Sequence, residues 1–371
     1  MPHIVFDPNA PDYRPGPDLW ASAEVSELAP RTVATSGIIQ PPMHAIAVWR
    51  LLEVAPSTAI RSRVAALYPK LVAWHRYLAE RRDPEGSGLL TIYHPWEGTD
   101  NSPRWDAALA RIAVGAIPPY ARTDVSVVGA EERPTTAEYD RYVWLVTLLR
   151  DAGYEDRAIQ RTHPFLIKDV QMSAIFSAAC RSLERIAEVV GAPDAERSQI
   201  ARWRERSSRA VHDAWDDDLE LALDTDLRTG KAVRVATSAG LCGLLVPDMD
   251  PAIAERTEHT LFGPDFAGAA GLAFPVVLST ARSSPEFRPR AYWRGPAWPV
   301  INWLLWWGMT QRGSDASAGR LRGPNLALLS RRDAHFGEYF EPFTAEPLGS
   351  LNQSWTAAVA LDWLASEAIS D

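Results

Sequence analysis

Apolar positions recur at steps of three or four along most of the chain. In "IKDVQMSAIFSAACRSLERIAEVV", residues 167–190, Ile175, Ala179, Leu183, Ile186 and Val190 fall on one face, the spacing of an amphipathic helix. Gly191 and Pro193 supply its stop. A second periodic stretch follows at once, with Ile200, Trp203, Val211, Ala214 and Trp215 on its apolar side. So short a join predicts an antiparallel helical hairpin. Similar periods predict helices over 41–54, 57–82, 103–114, 136–152, 236–246, 250–262, 296–312, 314–332 and 354–369. The second of these is expected to kink or break at Pro69. "PAWPVINWLLWWGM", Pro296 to Met309, is apolar on all sides, as a helix enclosed by other helices would be. "LELALDTDLRTGKAVRV", Leu219 to Val235, alternates around a turn and predicts a small β-hairpin.

This pattern gives about eleven helices, few strands and no βαβ alternation. It contains no repeat of the kind that builds a solenoid. The expected fold is therefore all-α, a ring of helical hairpins closed into an α/α barrel with loops at one end lining a central cavity. No Gly/Ser linker or charge block divides the chain, so residues 1–371 read as one domain that starts with an irregular segment, 1–35.

Charge and composition narrow the chemistry. Acids outnumber bases 47 to 38, the net charge is -9 and no basic stripe appears, which argues against a nucleic-acid partner. The longest apolar run, Val300 to Met309, is too short to span a bilayer. The opening "MPHIVFDPNAPDYRPGP" has neither part of a signal peptide. Cys180 and Cys242 form no metal or redox spacing. A cytoplasmic protein with no membrane contact is expected. The eight histidines never pair at ligand spacing, and "DTDLRTG" lacks the later glutamate of a calcium loop. With no phosphate-binding glycine loop either, no metal and no cofactor are expected.

Three loops hold the candidate chemistry. "YHPWEGTDNSPRWD", Tyr93 to Asp106, crowds acids and tryptophans before a helix that Ser102 and Pro103 already start well. Glu97 and Asp100 are thus not needed as caps. "HFGEYFEPFTAEPLGSLNQSW", His335 to Trp355, is a long aperiodic loop rich in aromatics, a kind that is usually functional in a compact domain. "RPRAYWRGPAWP" brings Tyr292, Trp293 and Trp298 to another helix entrance. Of the 15 tryptophans, Trp303 and Trp307 lie four apart in an apolar helix and read as core. Flat rings that stack on C–H faces, with carboxylates and amides for hydroxyls, suit a small carbohydrate. Two carboxylates across a sugar are what glycosidic cleavage requires. The residues themselves leave the second acid open among Glu338, Glu341 and Glu346.

"HPWEGTDNSPRWD", "ERPTTAEYDRY", "YWRGPAW", "GEYFEPFTAEPLGSLNQSWTAA" and "SGIIQPPMHA" together resemble glycoside hydrolase family 63. The nearest likeness is its bacterial branch of mannosylglycerate and glucosylglycerate hydrolases, over about residues 3–369 with the motifs in order. The resemblance implies an (α/α)6 barrel and hydrolysis with inversion. Asp100 would be the general acid and Glu338 the general base that activates water. Gln40, Trp96, Trp293, Trp298 and Gln353 would line the sugar and glycerate sites. Arg133, Tyr139 and Tyr292 would hold the glycerate carboxylate, a task that suits the planar fork of arginine.

Two departures go with the resemblance. "WEGTD" is one residue shorter than the branch's usual spacing, which leaves the role of Glu97 open. Members of the branch also carry a further segment ahead of the equivalent of "PHIVF". The resemblance therefore implies an N-terminally incomplete barrel, whose open edge would favour a homo-oligomer. Two other readings stand beside it: a trehalase-like or other α-glucosidase of the same fold, and a non-catalytic sugar-binding or decayed helical protein. For Arg133 an ion pair with Glu131 or Glu132 is the plain alternative, and for Tyr139 helix packing.

Overall fold

The computed structural model describes residues 1–10, 15–122 and 124–366. The chain is mostly helical with small antiparallel sheets. The expected helical hairpin is present as Val170–Val190 and Asp194–Asp213. The first of these begins where the Asp169 carboxylate accepts from Met172 N at 2.6 Å. It ends at Gly191, whose φ of 69° is the left-handed conformation that glycine adopts freely.

The Val170–Val190 helix is the centre of the packing. His44–Val54, Thr58–Tyr77 and Asp194–Asp213 all lie against it. Cys180, Leu183, Ile186 and Ala187 are fully buried there, and each large apolar side chain removed from water stabilises the fold by roughly 1.5–3 kcal/mol. The enclosed helix expected from "PAWPVINWLLWWGM" is Pro299–Gln311, packed against Asp315–Leu329 and Ser354–Ala365. Trp303 and Trp307 stack inside it at 6.3 Å and 13°, as core residues.

Several boundaries differ from the expected ones. Thr58–Tyr77 runs through Pro69 without breaking, then widens into a π-helical turn, Leu78–Arg82. Only single turns form after Ser102, a 3-10 turn Pro103–Trp105 and the short helix Asp106–Ala110. The described residues of segment 1–35 are irregular apart from two one-turn helices, Pro17–Trp20 and Ser22–Val25, and Trp20 is completely buried. The helix expected at 354–369 is Ser354–Ala365, and residues 367–369 lie outside the described residues. Pro251–Leu261 and Thr136–Asp151 match their periods closely.

The expected hairpin is the pair Thr225–Asp226 and Lys231–Ala232. It belongs to a four-stranded antiparallel sheet with Thr91–Ile92 and Ile167–Lys168. That sheet positions the site. Thr91–Ile92 leads directly into the acidic loop, and Ile167–Lys168 leads directly into the Val170–Val190 helix, so the loop and the helix start are held side by side. No helix among the described residues is long and apolar enough to cross a membrane.

Candidate active site

A cavity of about 530 Å³ opens where these loops meet. Asp100, Gln40, Tyr292 and Trp293 line it, with Gln171, Trp355 and two histidines, His3 and His44. Ile175, Ile301 and Leu304 make an apolar wall from the helices themselves. Burial pushes the Asp100 carboxyl up to about 7; Arg133 partly offsets this, and the Glu338 charge adds to it.

Asp100 is placed by its neighbours. Its own carbonyl accepts from the Tyr142 hydroxyl at 3.3 Å. On one side the Thr99 hydroxyl accepts from Arg104 Nη2 at 2.8 Å. On the other, Asn101 Oδ1 accepts from Trp293 N at 2.9 Å, which joins the acidic loop to the tryptophan loop. Asn101 was not singled out from the sequence, although it lies within the quoted motif.

Glu338 comes from the long aromatic loop, which folds into an antiparallel pair, Tyr339–Phe340 with Pro347–Leu348. After that turn the chain returns so that Ser350 N donates to Glu338 Oε2 at 2.9 Å. Gly349 makes the return possible: its φ is 69°, and a Cβ there would stand 2.5 Å from Glu338 Oε2. The Tyr292 hydroxyl donates to Glu338 Oε1 at 3.0 Å, and Arg133 Nη2 stands 3.8 Å from Oε2. The structure separates the three glutamates that the sequence leaves open. Glu341 accepts from Phe343 N and Thr344 within its own turn, and Glu346 pairs with Arg290. Glu338 is the one facing Tyr292 and Arg133.

Backbone strain gathers here as well. Tyr292, His335, Phe336 and Asn352 all have positive φ without being glycine, a conformation that persists only where the surroundings enforce it. Arg133 stacks on the Tyr292 ring at 4.4 Å, and its Nε is buried without a partner. Its acidic neighbour is Glu338 rather than Glu131 or Glu132. Glu132 instead accepts from the Tyr339 hydroxyl at 3.0 Å.

The other expected residues fall into different places. Trp293 lines the cavity, and Trp298, 1% exposed, stacks behind it at 3.7 Å and 4°. Trp96 is buried among Trp20, His94, Tyr139 and Tyr142, and its carbonyl accepts from Gln40 Nε2 at 2.6 Å. Tyr139 is buried between Trp96 and Tyr120, with Arg122 over its ring. Gln353 sits at the start of Ser354–Ala365, its side chain accepting from Ser354 N at 3.0 Å. Glu97 is no part of the cavity wall: it is fully buried against Arg82. His3 and His44 also line the cavity, and burial lowers the pKa of both. Nothing in their sequence spacing marks them.

This geometry sets the comparison with known proteins. Residues 1–356 match the family described as mannosylglycerate hydrolase MGH1-like glycoside hydrolase domain. The chain belongs to this family. The glucosylglycerate hydrolase of Mycolicibacterium hassiacum is 43% identical over 376 residues, covering 98% of this chain and 83% of that protein. The mannosylglycerate hydrolase of Thermus thermophilus is 40% identical over 367 residues, covering 98% and 84%. The crystal structure of the glycoside hydrolase family 63 mannosylglycerate hydrolase from Thermus thermophilus, in complex with Tris, superposes with a TM-score of 0.88 at 38% identity. That match covers 98% of this chain and 84% of the other.

Proposed function

We propose that this MGH1-like chain hydrolyses the α-glycosidic bond of 2-O-α-glucosylglycerate or mannosylglycerate with inversion, on one (α/α)6 ring of helical hairpins. The supporting observation is the unequal setting of the two carboxyls. Asp100, pushed up to about 7, keeps a proton available at neutral pH. Glu338 accepts hydrogen bonds on both oxygens, from Tyr292 and Ser350. Such a pair divides acid from base. Asp100 gives its proton to the glycosidic oxygen as the bond to the anomeric carbon breaks. Glu338 takes a proton from the water whose oxygen attacks that carbon from the opposite face. Trp293 offers its face to the sugar ring, with Gln40 and Gln353 as hydroxyl partners, Trp96 behind Gln40 and Trp298 behind Trp293. Arg133, stacked on Tyr292 with an unpartnered Nε, suits the glycerate carboxylate. Tyr139 completes that side of the site in this reading.

The test is release of glucose or mannose from the two glycerates and from trehalose, with the product anomer followed by NMR. Turnover of a glycerate with the β-anomer appearing first is expected. Turnover of trehalose alone would move the assignment to a trehalase-like enzyme, and first release of the α-anomer would remove inversion.

A second expectation concerns Arg133. Arg133→Ala should raise KM for the glycerate conjugate about 30-fold or more, the loss of roughly 2 kcal/mol or more expected when one partner of a buried charge pair is removed. The corresponding glycerol conjugate, which lacks the carboxylate, should change little. An equal loss for both would place Arg133 against Glu338 rather than against the substrate.

A further inference from the structure

The cavity wall does not by itself explain why three buried charges lie directly beneath the acidic loop. Arg104 is 3% exposed, and two buried carboxylates meet it: Nη1 reaches Asp224 Oδ2 at 2.6 Å and Asp169 Oδ2 at 3.2 Å. Both acids hold the start of the central helix. Asp169 caps it through Met172 N, and Asp224 Oδ1 accepts from Val170 N at 2.9 Å. The other terminal nitrogen, Nη2, donates to the Thr99 hydroxyl at 2.8 Å. The Thr99 carbonyl in turn accepts from Trp105 Nε1 at 2.7 Å and Ser102 N at 2.9 Å. One guanidinium therefore ties the residue before Asp100 to the helix start that carries Gln171 into the cavity.

We propose that Arg104, clamped by Asp169 and Asp224, is a positioning residue for the Asp100 carboxyl, acting through the Thr99 hydroxyl. This rests on the assignment of Asp100 above. The structural reason is specific. Asp100 projects into the cavity from a turn, and a turn is soft unless its flanking residues are fixed. Asn101 is fixed by Trp293 on the far side; on the near side Trp105 and Ser102 hold the Thr99 carbonyl, and the Arg104 bond fixes the Thr99 side chain. A buried ion cluster with two carboxylates on one arginine is costly to form. Both carboxylates meet Nη1 and Nε reaches the Ser102 hydroxyl at 3.4 Å, which leaves Nη2 directed at the Thr99 hydroxyl. A misplacement of about 1 Å in a reacting group lowers the rate roughly 10²-fold.

The deciding variant is Thr99→Val, which keeps shape and removes the acceptor. kcat on the glycerate substrate should fall at least about tenfold, with KM within about twofold, because the sugar and glycerate contacts remain. Thr99→Ser should restore kcat. Ser177→Ala serves as the stability control: it breaks the buried Ser177–Ser208 hydroxyl pair, 2.8 Å, away from the site. It should lower the melting temperature without changing kcat. If Thr99→Val does not fold, Thr99→Ala, which asks for less space, replaces it. Asp100→Asn is measured in the same series. A silent Asp100→Asn beside a Thr99→Val of wild-type kcat overturns the positioning role alone. An active Asp100→Asn overturns the assignment on which it rests. A kcat loss that Thr99→Ser fails to restore also overturns the proposal, since the hydroxyl would then not be the acting group.

Discussion

Asp100→Asn and Glu338→Gln should each lower kcat by about 10²–10⁴-fold, the span that positioned acid–base groups usually contribute. The two losses are expected to differ in kind. A substrate with a leaving group that needs no protonation, such as an α-glycosyl fluoride, should recover much of the Asp100→Asn rate and little of the Glu338→Gln rate. Proton donation is bypassed in the first case, while water still lacks its base in the second. Equal recovery in both variants would mean that the roles are shared, and recovery of Glu338→Gln alone that they are reversed.

The Asp100 setting also fixes the sign of two pH effects. Activity that depends on the protonated acid should decline as pH rises through about 7. Stability follows the same group by linkage. Its folded pKa lies above its unfolded value of about 4, so the folded chain binds more protons between the two. Raising the pH across that window therefore removes stability. Asp100→Asn, which has no charge to desolvate, should be more stable than the parent at pH 8 and about equally stable near pH 4. Thermal unfolding at the two pH values tests this, and a parent chain more stable than the variant at pH 8 would contradict it.

The helices were legible because their signal is periodic and long. Val170–Val190 and Pro299–Gln311 declare themselves through many positions at once. The four-stranded sheet was not legible beyond its hairpin. Thr91–Ile92 and Ile167–Lys168 are two residues each, and pairing across the chain rather than local pattern makes them strands. Helix Asp156–Thr162 escaped for a related reason, being only 7 residues long with a single buried residue, Ile159.

Within the site, the sequence marked the loops more sharply than the residues in them. Glu338, Glu341 and Glu346 have the same side chain in one loop, and only tertiary contacts distinguish a buried acceptor beside Tyr292 from a turn cap and a surface ion pair. Trp293 and Trp298 present the same difficulty: the first meets the cavity and the second supports it from behind. His3 and Gln171 belong to segments with no local mark of function, whereas His44 lies within "SGIIQPPMHA"; packing carries all three into the cavity.

Glu97 is the residue whose role the sequence left most open, and its removal should have the largest effect on stability. The shortened "WEGTD" motif places it beside Asp100, yet the structure turns it the other way. Arg82 meets it with two parallel hydrogen bonds, 2.7 and 2.9 Å, and the side chains are 1% and 0% exposed. Glu97 Oε1 also accepts from Ile39 N at 2.9 Å, and Oε2 from Tyr93 N at 2.6 Å. Arg82 also reaches the Thr91 carbonyl at 3.1 Å, the Tyr77 hydroxyl at 3.2 Å and the Asp156 carboxylate at 3.7 Å, its guanidinium 3.7 Å from the Tyr93 ring centroid. Three separate stretches of chain, at Ile39, Tyr77–Arg82 and Thr91–Glu97, therefore close on one ion pair through hydrogen bonds. Glu97→Gln leaves the buried arginine charge with only its longer contact to Asp156, 3.7 Å, and breaking a buried pair in this way typically costs about 3–5 kcal/mol. The loss should appear as a lower urea midpoint. The double variant Arg82→Met with Glu97→Met removes both charges and should regain most of that loss, since a paired charge deletion avoids the orphaned ion. Its kcat/KM should nevertheless stay below the parent's, because Ile39 would lose its anchor and Gln40, the next residue, lines the cavity. A Glu97→Gln chain that unfolds within about 1 kcal/mol of the parent would show that water reaches this pair and that the knot is not what holds the acidic loop against the chain before it.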